Sequence, residues 1–431
     1  MTSISDSQPP LERPLHGPYY RYVVLVTLMV VYTLSHLDRQ IIAILAVPIK
    51  TELQLSDSQL GLLGGFAFAV FYTALGIPVA RLSDSYSRPR IIGGALALWS
   101  FFTALCGVTT GFATLLLARM GVGVGEAGGV VPSYSLLSDY FPPHQRGRAL
   151  AVFYVGAPLG AGAGLFAGGY LAVNYGWRAT LIYIGLAGII LTPFLLAIVK
   201  EVPRGRLDPI EPDSARPKFM DVIRALNSRP AFWVITIASG FAGMMSYGLG
   251  FWLPVLLQRS LAYDLADTSL ILSFCAFVGG TLSLIGAGVL SDMLGRKSMA
   301  NYGRIAAFGS VVTLACVVIM LNAVNAYVIL ASLFGIYLFF QSYGPPTLAL
   351  ILNLAPANMR ATASAINLLI FNIMGLGIGP WLFGAVSEAL TPRYGQEGLR
   401  YAILGCAIVL YICSTTLFLK SGALSKIRTA R

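Results

Sequence analysis

The sequence predicts an all-α membrane protein of twelve transmembrane helices, arranged as two six-helix bundles related by a parallel repeat. Three observations carry this expectation. Apolar residues make up 56% of the 431 and charged residues only 11%, a balance foreign to soluble domains of this length. The charges gather between apolar stretches of about 20 residues, each able to cross roughly 30 Å of hydrocarbon. Short motifs of the first half of the chain also return in the second.

Taken in order, residues 1–20 are polar, carry the adjacent Pro9 and Pro10, and show no small-residue cleavage site behind a short apolar core. They read as a cytosolic lead rather than a signal peptide. An N-terminal bundle over 21–199 holds spans at 21–47, 58–80, 91–110, 112–137, 149–172 and 179–199. The longest break in hydrophobicity, 200–229, is rich in Pro, Arg and Asp and reads as a cytosolic linker. A C-terminal bundle over 230–420 holds spans at 231–257, 268–290, 302–321, 325–353, 362–388 and 399–419, and 421–431 forms a cytosolic tail.

Orientation follows from the basic residues, because segments kept in the cytoplasm carry the positive excess. One set of loops holds only Lys50, Arg178, Arg259, Arg393 and Arg400. Apart from Arg39 and Arg119 inside spans, the rest of the 29 Lys and Arg fall in the termini, the linker and the alternate loops. Both termini are therefore expected in the cytoplasm, with the chain in a bacterial cytoplasmic (inner) membrane. The formal charge of +11 is a topology signal and a contact with anionic headgroups; with no basic groove or recognised module, no nucleic acid is expected as a partner. Cys106, Cys275, Cys316, Cys406 and Cys413 lie in apolar spans without metal-ligand spacing and read as packing residues. No metal and no cofactor is expected.

Four ionisable residues sit at membrane depth: Asp38 and Arg39 in the first span, Arg119 and Glu126 in the fourth. Each costs roughly 2.5–3.5 kcal/mol even on lenient insertion scales, so such residues pair or face a polar pathway. Arg119 and Glu126 are separated by about two helical turns, which places them on one face about 10 Å apart and lets both line one cavity. Arg39 lies about 100° around the helix from Asp38, so one faces the cavity and the other a neighbouring helix. His36 points elsewhere again and reads as packing. A fixed ionic pin between helices is the competing reading, but an apolar pair would do that with less desolvation. The second half offers only neutral candidates for the cavity: Ser246, Tyr247, Gln341, Tyr343, Asn367 and Asn372, with Trp252 and Phe274 as apolar wall. Singly each reads as packing; together, an ionic half facing an apolar and aromatic half suits an amphiphile.

The repeat is visible in Leu82-Ser83-Asp84 and Leu290-Ser291-Asp292, after the second and eighth spans, and in Arg146-Gly147-Arg148-Ala149 and Arg360-Ala361-Thr362-Ala363. Six crossings separate the copies, so both halves enter the membrane in the same sense. The run from Gly288 through Leu290, Asp292, Gly295 and Arg296 to Lys297 resembles the G-x-L-a-D-x-x-G-R-K loop of the major facilitator superfamily. The first copy keeps Asp84 and Arg88 but has Ala80, Ser87 and Pro89 where the pattern has Gly, Gly and a base. With the stretch from Arg119 to Ala127, this similarity spans all twelve helices. Asp38-Arg39, Arg119 followed by Gly125-Glu126-Ala127, and Phe153-Tyr154 with Pro158-Leu159-Gly160 are similar to the Spinster branch, although Ser35-His36-Leu37 stands where Asn-Tyr often precedes Asp-Arg.

The resemblance implies a proton-coupled secondary active transporter that moves an amphiphilic or anionic solute, such as a lysophospholipid or sphingoid phosphate, by rocker-switch alternating access. It implies that Asp38, Glu126, Arg119 and Arg39 couple to protons, that an Asp38–Arg119 pair is permitted across the first and fourth helices, and that Tyr154 joins the cavity. It further implies that Asp84, Arg88, Asp292 and Arg296 form a cytoplasmic gate. Expected partners are the small substrate, protons and membrane lipids, with the monomer as the working unit. A gradient-independent lipid scramblase or facilitator, or a drug or organic-anion exporter, is the alternative. An enzyme is not expected: no nucleotide loop, metal cluster or nucleophile–base set is present, and Gly121-Val122-Gly123 follows no strand.

The topology makes the first prediction. In a background lacking the five native cysteines, single cysteines placed in 200–229 should react with a membrane-impermeant maleimide only after the cells are opened. Labelling from outside intact cells contradicts the orientation.

Overall fold

The structure is a computed structural model and describes residues 17, 19–207, 219–295, 297–356 and 359–426. Arg296 of the expected gate, most of the 1–20 lead, the middle of the linker and the end of the tail lie outside the described residues. The first half contains α1 (Tyr20–Ile44), α2 (Ala46–Leu53), α3 (Asp57–Gly61), α4 (Ala67–Ser85), α5 (Arg88–Cys106), α6 (Phe112–Glu126), α7 (Val130–Tyr140), α8 (Pro143–Tyr154) and α9 (Gly156–Ile198). The second contains α10 (Phe219–Asn227), α11 (Pro230–Arg259), α12 (Leu265–Phe274), α13 (Gly280–Gly295), α14 (Ala300–Asn322), α15 (Ala326–Phe339), α16 (Gly344–Leu354), α17 (Arg360–Phe371), α18 (Gly379–Tyr394) and α19 (Gly398–Lys426). Among the described residues there is no strand, as expected where each span must satisfy its own backbone donors and acceptors.

Among the described residues, ten stretches are long and apolar enough to cross a membrane; two of them, Pro143–Ile198 and Thr362–Ser425, run to 56 and 64 residues. Each of these is long enough to cross twice. The first reverses at Gly176 (φ 80°, ψ 163°), a left-handed conformation that costs glycine no steric clash. Before the turn Gly168 meets Ile41 and Ile44 of α1; after it Gly185 meets Ser100 and Ala104 of α5, and Gly93 meets Leu196. At this reversal Glu52 accepts from Trp177 Nε1 (2.6 Å) and Arg178 Nε (2.9 Å), bonds that hold its carboxyl below the usual range. The second long stretch reverses at Gly395 (φ 55°). The twelve expected crossings fit.

The start of α1, the end of α19 and the described ends of the connector between the halves share one face. There Tyr20 Oη donates to the Ile198 carbonyl and Tyr140 Oη to that of Lys200, while Gly303 and Gly422 bring the ends of α14 and α19 together. Arg88 is wholly buried on this face. It donates to Asp139, to Glu201 (Nε, 2.8 Å), to Ser135 (3.1 Å) and to the Val202 carbonyl (2.8 Å). Arg88, expected in the gate with Asp84, is thus engaged within the first half and its connector: a guanidinium taken out of water needs carboxylates around it, and α7 and the connector supply them. Asp84 and Asp292 are exposed, and no ion pair involves either among the described residues.

On the opposite, far face the halves are joined. Asp57, buried at the start of α3, accepts two bonds from Arg259 Nη1 (3.0 and 2.8 Å), one from Ser387 (2.6 Å) and one from Lys50. The Ser58 amide donates to Glu388 (2.9 Å). Below this lock the π-helical segments Leu62–Phe66 and Asn372–Ile378, which lead into α4 and α18, touch through backbone, a Cβ on Gly65 falling 2.2 Å from the Leu376 carbonyl. Toward the connector face the contacts fall away: Leu82, Tyr86, Leu290 and Met293 are exposed.

Removing one partner of a buried ionic group costs about 3–5 kcal/mol. Asp57→Ala should therefore shift the equilibrium by tenfold or more toward conformers open at the far face, each 1.4 kcal/mol being about tenfold. Double electron–electron resonance between spin labels on the far ends of α2 and α18 measures this. An unchanged distance distribution removes Asp57 from the seal.

Candidate functional site

A chamber of about 690 Å³ lies between the halves. From α1 it is lined by Tyr32, His36, Arg39, Gln40 and Ala43, whose i, i+4, i+7, i+8, i+11 spacing puts them on one helical face. The second half contributes Ser246, Tyr247, Phe251, Tyr337, Gln341, Tyr343, Asn367 and Phe371. Tyr154 and Pro158 line the side toward the connector face. Arg39 is the one Lys, Arg, Asp or Glu on this wall among the described residues.

Its guanidinium does not stand free. Arg39 Nε and Nη2 donate to Glu126 Oε2 at 3.0 and 2.8 Å, and Ser35 Oγ donates to the same oxygen at 2.6 Å. The Glu126 side chain is 0% exposed and that of Arg39 13%, so the cation covers the anion and alone reaches the chamber. Phe68 and Tyr72 of α4 support it, with ring centroids 4.7 and 4.8 Å from Cζ, an arrangement worth about 2 kcal/mol or more where water is excluded. Two glycines of α6 set this depth. A Cβ on Gly123 would lie 2.6 Å from the Phe68 carbonyl, and one on Gly125 2.5 Å from the Trp99 amide, so α6 lies against both neighbours without side chains between.

Asp38 points away from the chamber, toward α5. Its Oδ2 accepts from Thr103 Oγ1 at 2.6 Å, and Oδ1 has no protein partner. Arg119 is as deeply buried. It lies close enough to act electrostatically on Asp38, but its Nε is unbonded, its recorded contact is the Phe68 ring at 5.9 Å, and no carboxylate stands within 4 Å among the described residues. The expected direct Asp38–Arg119 pair is thus replaced by Arg39–Glu126. Arg119 and Glu126 do share a helical face, yet neither they nor Asp38 line the chamber: Arg39 folds back over Glu126, and Asp38 turns toward α5. Arg39 and Asp38 diverge as their spacing requires.

Of the expected cavity residues, Tyr154, Ser246, Tyr247, Gln341, Tyr343 and Asn367 line the chamber; three do not. Trp252 is fully buried and donates to the Pro380 carbonyl at 2.7 Å. Phe274 is exposed and stacks on Phe334. Asn372 is buried at the start of a π-helical segment, Asn372–Ile378. His36, read as packing, faces the chamber with Nδ1 3.2 Å from the Tyr32 carbonyl. Tyr32, missed in the sequence, stacks on Phe153 at 4.5 Å; its place on the Arg39 stripe was the signal for it.

Residues 28–380 match the Major Facilitator Superfamily. The chain belongs to that family. It is 30% identical over 389 residues, 90% of either chain, to an MFS-type efflux pump of Mycolicibacterium smegmatis. To protein spinster homolog 1 of Xenopus tropicalis it is 27% identical over 427 residues, 92% of this chain and 80% of that one. The fold matches the crystal structure of a bacterial homolog to the human lysosomal transporter Spinster, inward-facing and unoccupied, with a TM-score of 0.87 and 24% identity over 95% of this chain and 98% of that one. Within the superfamily, the resemblance is to the Spinster branch. The protein is accordingly a multi-pass integral membrane protein of a transporter family, with a small molecule as its class of substrate.

The geometry predicts strong coupling between Arg39 and Glu126. Arg39→Ala should lower stability by about 3–5 kcal/mol, since it strands a buried carboxylate, and Glu126→Gln on that background should restore part of the loss. Thermal unfolding in detergent measures both; additive losses contradict the coupling.

Proposed function

We propose that the protein is a proton-coupled secondary transporter of an amphiphilic or anionic organic solute, of lysophospholipid or sphingoid-phosphate type, working as a monomer by rocker-switch alternating access. The observation that carries this reading is the chamber itself: a large apolar and aromatic volume between the halves with a single cationic pole, Arg39. Such a wall suits a chain-bearing solute with an anionic head. The likeness to spinster proteins, one of them a bacterial homolog to a lysosomal transporter, supports the transporter part of this reading. The efflux pump of Mycolicibacterium smegmatis favours a second reading, export of a drug or organic anion. Lipid scrambling without a gradient is distinguished by flux that ignores pH.

In this mechanism Asp38 and Glu126 are the protonatable couple. Glu126 while ionised holds Arg39; protonated, it releases the guanidinium to an anionic headgroup. Arg119 serves Asp38 and the balance of charge behind Arg39. With the connector face in the cytoplasm of a bacterial inner membrane, the described state is inward-open, sealed outside by Asp57. Asp84 and Asp292 then act in the opposite state, closing the inner face together with the loops that bear Arg88 and Arg296.

The test is transport by Asp38→Asn, Glu126→Gln and the double variant in liposomes with and without an imposed pH difference, using lysolipids, sphingoid phosphates and organic anions in counterflow. The double variant should lose accumulation driven by pH and keep residual exchange. Accumulation in response to pH by the double variant defeats the coupling scheme.

A further inference from the structure

We infer that Glu126 exchanges its proton through Oε1 with a single water held between α1, α5 and α7, rather than through the oxygen that Arg39 covers. The inference rests on the proposed proton coupling and assigns it an atom and a site. Oε2 already accepts three bonds, from Ser35 and twice from Arg39, while Oε1 is buried and accepts none from the protein. A carboxylate oxygen with three donors resists a further proton; the open oxygen takes it. Beside Glu126 lies a pocket of about 10 Å³, which is the space one water requires.

Its lining supplies partners for that water. Ser133 Oγ donates to the Gly129 carbonyl at 2.7 Å, leaving its lone pairs to accept, and Ser35 and Gly129 also face the pocket. Trp99 and Phe153 close the rest with apolar surface. A water there donates to Oε1 and to Ser133 when Glu126 is ionised. When a proton arrives it passes from the water to a lone pair of Oε1, and the neutral acid donates back to the water. Tyr32 lines both this pocket and the chamber, so one ring divides the proton's side of Glu126 from the substrate's.

The groups facing Glu126 fix what its protonation changes. From α1 come Arg39 and Asp38, with Tyr32 across the pocket, and from α11 comes Tyr247; Arg119 of its own helix acts on Asp38, and Tyr72 of α4 faces Arg39. Trp99 and Ser133, from α5 and α7, do not titrate. Arg39 is the one cation bonded to Glu126, so the proton's arrival is felt there first.

Gly129→Ala tests the site directly. The added Cβ meets the Glu126 carbonyl and Trp99 only at 3.5 Å, ordinary contact, yet it takes the space of the water. Ser133→Ala removes the second partner instead. In full-length protein in liposomes, both should slow proton uptake about tenfold or more and shift the pH midpoint of pH-driven transport by about one unit, tenfold in proton affinity. Both should depress pH-driven uptake more than counterflow. Infrared difference spectra between low and high pH should show the Glu126 carboxyl band moved in both variants. An unmoved band with a wild-type pH midpoint overturns the site, as does an equal fall in pH-driven uptake and counterflow. Glu126→Gln, measured alongside, separates the two claims: if it retains pH-driven accumulation, the coupling reading fails, whereas if it loses accumulation while Gly129→Ala and Ser133→Ala behave as wild type, only the water site does.

Discussion

The structure turns on one carboxylate oxygen. Glu126 Oε2 lies at membrane depth, wholly out of water, and is held by a serine hydroxyl and two nitrogens of one guanidinium. A charge there without such donors would cost several kcal/mol. Satisfying it decides the local architecture: α6 must approach α4 and α5 closely, which Gly123 and Gly125 permit, and Arg39 must turn back from the chamber over Phe68 and Tyr72. The chamber inherits its character from that turn. Arg39, its one cationic pole among the described residues, is half engaged from behind, and the rest of its wall is free to be apolar.

A second buried carboxylate solves the same problem in a different place. Asp57 draws its donors from both halves: Lys50 from its own, Arg259 and Ser387 from the other. The Arg39–Glu126 pair lies wholly inside the first half. On the proposed reading, rotation of the halves as rigid bodies breaks the Asp57 cluster and leaves Glu126 satisfied, so the cost of opening the far face falls on that cluster, the Ser58–Glu388 bond and the tight seam at Gly65. The Arg88 cluster is likewise internal to the first half and its connector, which explains why the motif residue best suited to a latch is already occupied.

The fold was legible because a bilayer tolerates few solutions: apolar length, loop charge and the two half-chain motifs each constrain it, and even the reversal near Gly176 fell in an expected gap between spans. Pairing within the site was less legible. A helical wheel gives the direction of Cα–Cβ, and that sufficed to separate Asp38 from Arg39. It does not say how far a long arginine reaches, and Arg39 reaches past its own face to Glu126 while Arg119 stays behind. In the second half the membrane-deep parts of the spans carry no charge to mark a face, and π-helical turns disturb the count. Cys275–Gly279 follows Phe274, and Asn372 opens Asn372–Ile378; each extra residue per turn rotates the chain relative to a regular α-helix. Both residues were assigned to a wall they do not join. Trp252 was misplaced for another reason, since a buried indole needs an acceptor and finds it at Pro380 in the core.

On the proposed reading, the two oxygens of one carboxylate explain how proton and substrate influence each other without meeting. A ligand moves a conformational equilibrium only through its differential affinity for the two states. A proton on Oε1 withdraws charge from Oε2, weakens its hold on Arg39, and so raises the affinity of the chamber for an anion. By linkage an anion bound to Arg39 loosens its grip on Oε2 and makes Oε1 a better base by the same factor. The coupling needs no chain of relays across the protein, because the guanidinium and the carboxylate are already in contact and Tyr32 keeps their outer faces in separate compartments. It does require that Arg39 remain the only cation on the chamber wall, since a second one would bind the anion whether or not the proton had arrived.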